Sequence, residues 1–454
     1  MNKNFIAQFL KGSISASTGT LLTVGFHFLS ITIMTRYISQ EMLGLYFLII
    51  ATAAFLKIVG NLGLDLTLVK YLTEKEGDEK QEAVTIILIV RFIVLALFSV
   101  ILYFGSALIL PLLGEGLEPY VILIPLIFIG HSLREFFLFM LQGLQRFAHY
   151  AMIQAVSSVI KFGLIYFYRN ELTVNMLLYI ELVMLAVSIL IQLWIINFRE
   201  LGLYNLRFSR ETFGKVFTFG FPLYYTSLLV AGYGKSSVFL INYYLSPASI
   251  ALFEIAVKIP EGFVRILRSF LVVYFPNIAT LFSQDKKQEA LKFINKTVGV
   301  GSVGISILCV ITFIFGADIV KLVFSPQYEN VSLAFSLAMF NIYLASISNI
   351  LGYSLVSAGH PKSSSIVNTA STVIYLVSSI LLIPLFGFVG AIIGFLIMNS
   401  AAMLFYFIYM SRVGIRADAR QFVLPTSVAV FVCVLFTLVG MDNFVVKIGF
   451  IGML

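Results

Sequence analysis

Apolar residues along the 454-residue chain come in long unbroken runs, without the strict alternation of a half-buried strand or the narrow stripe of a surface helix. A helix rises 1.5 Å per residue, so about 20 apolar residues cross a hydrocarbon layer ~30 Å thick. Thirteen segments reach that length: 12–34, 42–64, 84–110, 119–141, 148–168, 174–196, 217–243, 249–281, 293–315, 331–357, 364–384, 387–410 and 422–440. Turn and charge signals separate them, among them Gly114-Glu115-Gly116, the stretch from Pro384 to Gly387, and a charged linker over 69–82. The tail MDNFVVKIGFIGML is apolar but short for a fourteenth crossing. The first run lacks a continuous apolar core followed by a small-residue cleavage site, so it reads as the start of a span and not as a signal peptide. The pattern predicts an all-α polytopic membrane protein.

Composition agrees with the pattern. Apolar residues make up 60% of the chain and charged residues 11%, against roughly 45–50% and about 25% in soluble domains. Soluble, disordered and disulfide-rich classes are thereby excluded. Cys309 and Cys433 each sit inside an apolar run and read as packing residues, and the four histidines lack metal-ligand spacing. With the N-terminus inside, the inner loops carry eighteen Lys and Arg and the outer loops three, Arg36, Arg169 and Lys321. This is the positive-inside asymmetry, and it accounts for most of the net charge of +8 without a nucleic-acid partner. All loops are short, which leaves the outer face no room for a folded catalytic domain and counts against polymerases and ligases.

An internal repeat organises the spans. TRYISQEMLGLY (35–46) aligns without gaps with NYYLSPASIALF (242–253) at an offset of 207. A second echo pairs LQGLQR (141–146) with SAGHPK (357–362) at an offset of 216. Both are in register with the spans, and an even number of crossings per unit preserves orientation. The expected layout is two six-helix lobes related by a pseudo-two-fold axis along the membrane normal, at 1–196 and 197–410. Residues 411–454 add one or two extra C-terminal helices.

TRYISQEMLGLY after the first span, together with LLIPLFGFVGAIIG at 381–394, resembles the polysaccharide flippases of the multidrug/oligosaccharidyl-lipid/polysaccharide exporter superfamily. The resemblance runs over roughly 10–410. It implies rocking of two six-helix lobes that carries a lipid-linked oligosaccharide across the bilayer. The chain stops within a fourteenth span, which puts in doubt a lipid-tail groove built from the last two helices.

Nine Lys and Arg remain within spans or the tail: Lys57, Arg91, Arg134, Lys161, Lys235, Lys258, Arg265, Arg268 and Lys447. At about 2.5–3.5 kcal/mol each, lipid-facing placement would cost ~25 kcal/mol, more than the ~5–15 kcal/mol stability of a typical domain. Most therefore face protein or a hydrated cavity. Glu254, Lys258, Glu261, Arg265 and Arg268 are spaced four, three, four and three apart and share one helical stripe, in which Pro260 is expected to introduce a kink. That stripe reads either as a self-neutralising ladder of i, i+4 pairs or as a cavity wall with a basic excess. His131, Arg134 and Glu135 share a second face, with Arg134 and Glu135 expected to neutralise each other in part; Lys57 is expected to reach Asn61 or Asp65. Gln154, Ser157 and Lys161 form a further stripe.

Five acids lie in spans, Asp65, Glu135, Glu181, Glu254 and Glu261, against nine bases. A cavity for cationic drugs wants unpaired carboxylates, whereas a pyrophosphate wants Lys and Arg. The expected substrate is a polyprenyl-diphosphate oligosaccharide, a polysaccharide or O-antigen precursor. It would be held by Lys258, Arg265, Arg134, Lys235 and Arg91 first, then Lys161, Arg268 and Lys57. Glu261, Glu254, Asp65 and Glu135 are expected either to carry coupling ions or to pair with bases. No catalysis, cofactor or metal is expected; coupling would draw on an H+ or Na+ gradient or the membrane potential. Expected partners are membrane lipids and the polysaccharide polymerase and glycosyltransferases of the same pathway, with the protein in the cytoplasmic (inner) cell membrane and its N-terminus cytoplasmic. The alternatives are a cation-coupled multidrug exporter of the same superfamily, a membrane-embedded glycosyltransferase or polymerase, and an uncoupled scaffold or scramblase.

Overall fold

The apolar runs fold as helices because a backbone within lipid must satisfy its own hydrogen bonds. A computed structural model describes residues 3–74, 77–107, 116–196, 207–415 and 417–439, with the backbone alone for 3–18, 20, 230, 265, 266, 268, 269, 272, 273 and 439. Among the described residues there is no strand. The helices are α1 (Lys3–Tyr37), α2 (Gln40–Asn61), α3 (Leu64–Glu74), α4 (Gly77–Phe104), α5 (Leu123–Gly143), α6 (Phe147–Phe167), α7 (Val174–Ile195) and α8 (Arg210–Gly234). They continue as α9 (Ser236–Tyr244), α10 (Pro247–Ser283), α11 (Lys287–Val323), α12 (Ser332–Ser357), α13 (Pro361–Phe386), α14 (Phe388–Arg412) and α15 (Arg420–Val439). Among the described residues ten helical segments are long and apolar enough to cross a membrane. Every expected span coincides with a helix, the seventh being divided at Lys235 into α8 and α9. The tail from 440 onward, Lys447 included, lies outside the described residues.

Local sequence explains the helix starts. The Met42 N–H donates to Ser39 Oγ (3.3 Å) at the head of α2, the Met176 N–H to Thr173 Oγ1 (3.2 Å) at α7, and the Thr212 N–H to Ser209 Oγ (3.4 Å) at α8. Ser39 belongs to the first copy of the repeat. In the second copy Ser246 stands at the equivalent point, directly before Pro247 at the start of α10, where proline's missing N–H costs nothing. The repeat is thus a helix-start signature. The second echo marks helix ends: α5 and α12 both finish on a left-handed residue, Gln145 (φ 58°) and Gly359 (φ 90°). Arg146 N–H donates to the Leu141 carbonyl and His360 N–H to that of Leu355. The backbone equivalence is therefore offset by 214, two residues from the sequence alignment.

By packing the chain divides into two units, Met1–Ala248 and Ser249–Leu454. In the first, α1 packs on α6, α5 on α2 and α7, and α8 on α2, α3 and α4. Because α8 and α9 pack there, this unit runs past residue 196, the boundary drawn from the repeat; packing and chain symmetry are different criteria. In the second, α13 pairs with α14, α12 with α11 and α14, and α15 with α11.

The expected charged linker over 69–82 is corrected. Its first part belongs to the amphipathic helix α3, which buries Leu64, Leu68, Tyr71 and Leu72 against Ile86, Ile87 and Phe136. The charges of its second part cap α4 and tie to the head of α8: Arg207 pairs with Asp78, Thr212 Oγ1 donates to Glu82 (2.5 Å), and Lys215 reaches Glu79 (3.8 Å) and Glu211 (2.8 Å). The hydrogen bond from Lys215 holds the exposed Glu211 carboxyl below the usual carboxylate range. The turn between α2 and α3 needs Gly63 (φ 74°), whose missing Cβ lets the Gly220 carbonyl of α8 approach.

Candidate functional site

Charged side chains inside the spans of the first unit resolve into two clusters. The first lies where α2 ends and α3 begins. Arg91 of α4, only 2% exposed, donates from Nη2 to Asp65 Oδ1 and, at 2.9 Å, to Asn61 Oδ1. The Asp65 N–H also donates to Asn61 Oδ1 (3.3 Å), and the Phe136 ring lies 5.6 Å from the guanidinium. One turn back on α2, Lys57 forms an ion pair with Glu135 of α5. Lys57, Asn61, Asp65 and Glu135, with Thr226 and Ser227 of α8, line a cavity of about 340 Å³.

The second cluster surrounds Glu181 of α7. Its Oε2 lies 2.6 Å from Lys161 Nζ on α6 and its Oε1 lies 3.1 Å from His131 Nε2 on α5. The Tyr46 hydroxyl donates to Glu181 Oε2 (3.2 Å) and accepts from Lys161 Nζ (2.9 Å). Four helices are thus pinned around one buried carboxylate. Charges so deep persist only when paired and hydrogen-bonded.

Two bases stand apart from these pairs. Arg134, half-buried on α5, donates from Nε to Ser188 Oγ (3.1 Å), while its own carbonyl accepts from Gln192 Nε2 (3.0 Å). Lys235 occupies the break between α8 and α9, and its ammonium makes no ion pair or hydrogen bond among the described residues. In the second unit, Lys258 donates to Glu254 (2.8 Å) and Glu261 (3.5 Å) on its own helix, α10. The backbones of Arg265 and Arg268 continue that stripe, while their side chains lie outside the described residues. Helix α10 is unbroken through Pro260 and Pro276. Among the described residues no three His, Cys, Asp or Glu side chains come together to hold a metal ion.

One expected pairing is corrected. Lys57 binds Glu135, not Asn61 or Asp65, because Arg91 already occupies both. Glu135 makes its ion pair with Lys57, while the neighbouring Arg134 adds a weaker Coulomb attraction, which is the partial neutralisation expected. The bases Arg91, Lys57, Lys161 and Lys258 each have a carboxylate, so the acids within the spans are spent on these four and the basic excess falls to the other bases. Tyr46, Asn61, Ser188 and Gln192 complete the networks without having been singled out as site residues. Tyr46 closes the repeat motif, where its counterpart is Phe253, and that Tyr/Phe difference is the signal that marks it as polar.

The architecture is that of an all-α, multi-pass membrane protein. It is similar to the lipid II flippase MurJ in an inward-closed conformation, with a TM-score of 0.76 at 14% identity, covering 96% of each chain. An inward-facing multidrug-resistance MATE family transporter of the MOP superfamily matches with a TM-score of 0.71 at 14% identity, over 88% of this chain and 98% of that one. The Vibrio cholerae MATE transporter VcmN matches at 0.57 and 13% identity, over 92% and 98%. No curated protein matches the sequence. Residues 9–282 match the family described as polysaccharide biosynthesis protein, and the chain belongs to that family.

Proposed function

We propose that the protein carries a polyprenyl-diphosphate-linked oligosaccharide, a polysaccharide or O-antigen precursor, across the cytoplasmic membrane by alternating access, with no covalent chemistry. The observation that carries this reading is the family match over residues 9–282, on a chain whose fold is that of flippases and exporters along its whole length. The distribution of Lys and Arg supports a cytoplasmic N-terminus.

The pairing pattern reorders the candidate residues. A diphosphate needs cationic donors not already committed to a carboxylate. Lys235 and Arg134 meet that condition in the first unit; on α10 Arg265 and Arg268 stay candidates from their place on the helical stripe alone. Arg91, sealed by Asp65 and Asn61, serves as a clamp between helices, as does Lys161 at Glu181. Glu254 and Glu261, which share Lys258, are the coupling candidates, whereas Asp65 and Glu135 pair with Arg91 and Lys57 beside the first-unit cavity and act with them as clamps. The driving force is an H+ or Na+ gradient or the membrane potential. The polymerase and glycosyltransferases of the same glycan pathway are the functional partners.

Deleting the gene in its host tests the reading. Loss of the surface glycan with build-up of its lipid-linked precursor, restored by the parent chain but not by Lys235→Gln/Arg134→Gln, is the expected result. An intact glycan with altered tolerance to cationic drugs would instead identify a multidrug exporter.

A further inference from the structure

The second unit holds a cavity of about 690 Å³ within its own helices α10, α11 and α12, away from the paired charges described above. Its wall is apolar: Phe263, Leu267 and Phe270 of α10 face Ile305 and Leu308 of α11 and Ile347 of α12. Among the described residues its one charged lining group is Lys296, which is exposed and makes no ion pair or hydrogen bond among them. On α11, Lys292, Lys296, Val300, Val303 and Ile307 recur at intervals of four, four, three and four, so they form one stripe. Val300 is 67% exposed and Val303 and Ile307 are about half exposed, which opens the cavity along an exposed apolar face of α11. The twelve helical steps from Lys296 to Leu308 rise about 18 Å, close to the ~15 Å depth of one leaflet.

We propose that this cavity is a binding site for an anionic phospholipid of the bilayer, with its phosphodiester at Lys296 and one acyl chain lying between α10, α11 and α12. The charge fits this occupant. A single ammonium is a compact point charge that matches the one negative charge of a phosphodiester, whereas a diphosphate carries more than one lysine neutralises. Depth fits as well: Lys296 stands where the polar end of α11 gives way to its apolar run, at headgroup level, and Lys292 follows one turn outward. Basic pockets between spanning helices on the cytoplasmic side select anionic lipid headgroups. Assignment to the cytoplasmic leaflet rests on the orientation proposed above; the binding itself does not, and the assay below reads no transport.

The chain has a single tryptophan, Trp194, which is 87% exposed on α7. Moving it to the cavity as Trp194→Phe/Phe270→Trp gives a local reporter in vesicles. Phosphatidylglycerol with brominated chains is expected to quench this relocated tryptophan at about one-fifth of the mole fraction that brominated phosphatidylcholine requires. That preference corresponds to one lysine near an anionic surface, and Lys296→Gln should abolish it. Gly301→Leu should also remove the preferential quenching, because a Cβ at Gly301 meets nothing within 4 Å and the added side chain projects into open space. The parent chain, reporting from Trp194, should show no preference. Equal quenching of the relocated tryptophan by the two lipids, the same preference at Trp194, or a preference surviving Lys296→Gln would each overturn the proposal. So would displacement of the brominated phospholipid by a polyprenyl diphosphate at lower mole fraction than by unlabelled phosphatidylglycerol, since the cavity would then belong to the substrate. Intact-mass measurement of the unmodified protein released from detergent provides an independent readout: one retained phospholipid is expected, lost in Lys296→Gln, and equal retention by both chains would contradict the assignment.

Discussion

Replacing Arg91 by Met separates a structural clamp from a substrate contact. The guanidinium is 2% exposed, pairs with Asp65 and bonds Asn61 at 2.9 Å, joining α4 to the α2–α3 turn. Methionine keeps the apolar stem but leaves Asp65 as a buried, uncompensated carboxylate. Removing one partner of a buried pair costs about 3–5 kcal/mol. A unit of 248 residues converts each kcal/mol into about 2–4 °C of melting temperature, so the expected fall is about 6–20 °C. Replacing both partners by apolar groups of similar volume, as in Asp65→Leu/Arg91→Met, removes the stranded charge and should recover most of the loss. The assay is thermal unfolding of the purified protein in detergent, run beside a transport measurement on the parent and both variants. The double variant is expected to transport near the parental rate. An unchanged melting temperature for Arg91→Met with transport abolished would refute the clamp and return Arg91 to the substrate site.

Lys161→Met should destabilise by a similar amount, because Glu181 keeps only His131 and Tyr46 as partners, and Lys161→Met/Glu181→Leu should regain most of it in the same thermal assay. Gly63→Ala should prevent recovery of monodisperse protein by size-exclusion chromatography: its Cβ would sit 2.0 Å from the Gly220 carbonyl oxygen at a left-handed φ, whereas Gly220→Ala, with Thr67 Oγ1 at 3.2 Å, should be recovered. Lys235→Gln should leave stability within about 0.5 kcal/mol, as for sites without buried partners, while reducing transport at least tenfold; parental transport would remove Lys235 from the substrate site.

The helices were legible because membrane insertion writes itself into composition: each of the thirteen apolar runs coincides with a helix. The break at Lys235 was not read, although the stretch Ala231-Gly232-Tyr233-Gly234-Lys235-Ser236-Ser237 gathers glycines and serines at that point; the apolar residues on either side carried the run across it. Helix α3 was hidden because its polar face and the capping acids of α4 merge into one charged stretch. Within a single helix, charge pairing could be read from spacing, and Glu254–Lys258 forms as spacing predicts. Between helices it could not. Lys57 with Glu135, Arg91 with Asp65, and Lys161 with Glu181 depend on which helices pack and at what rotation, and no local pattern encodes that. The count of nine bases against five acids therefore gave the size of the surplus but not which bases carry it.

The central claim is best tested with the purified protein in sealed vesicles whose inner leaflet carries a labelled polyprenyl-diphosphate oligosaccharide. An impermeant lectin outside reports each sugar that crosses. The account predicts lectin-accessible label appearing with the parent chain and strongly slowed in Lys235→Gln/Arg134→Gln. Label that stays inside with folded parent protein under an applied ion gradient or membrane potential would contradict it.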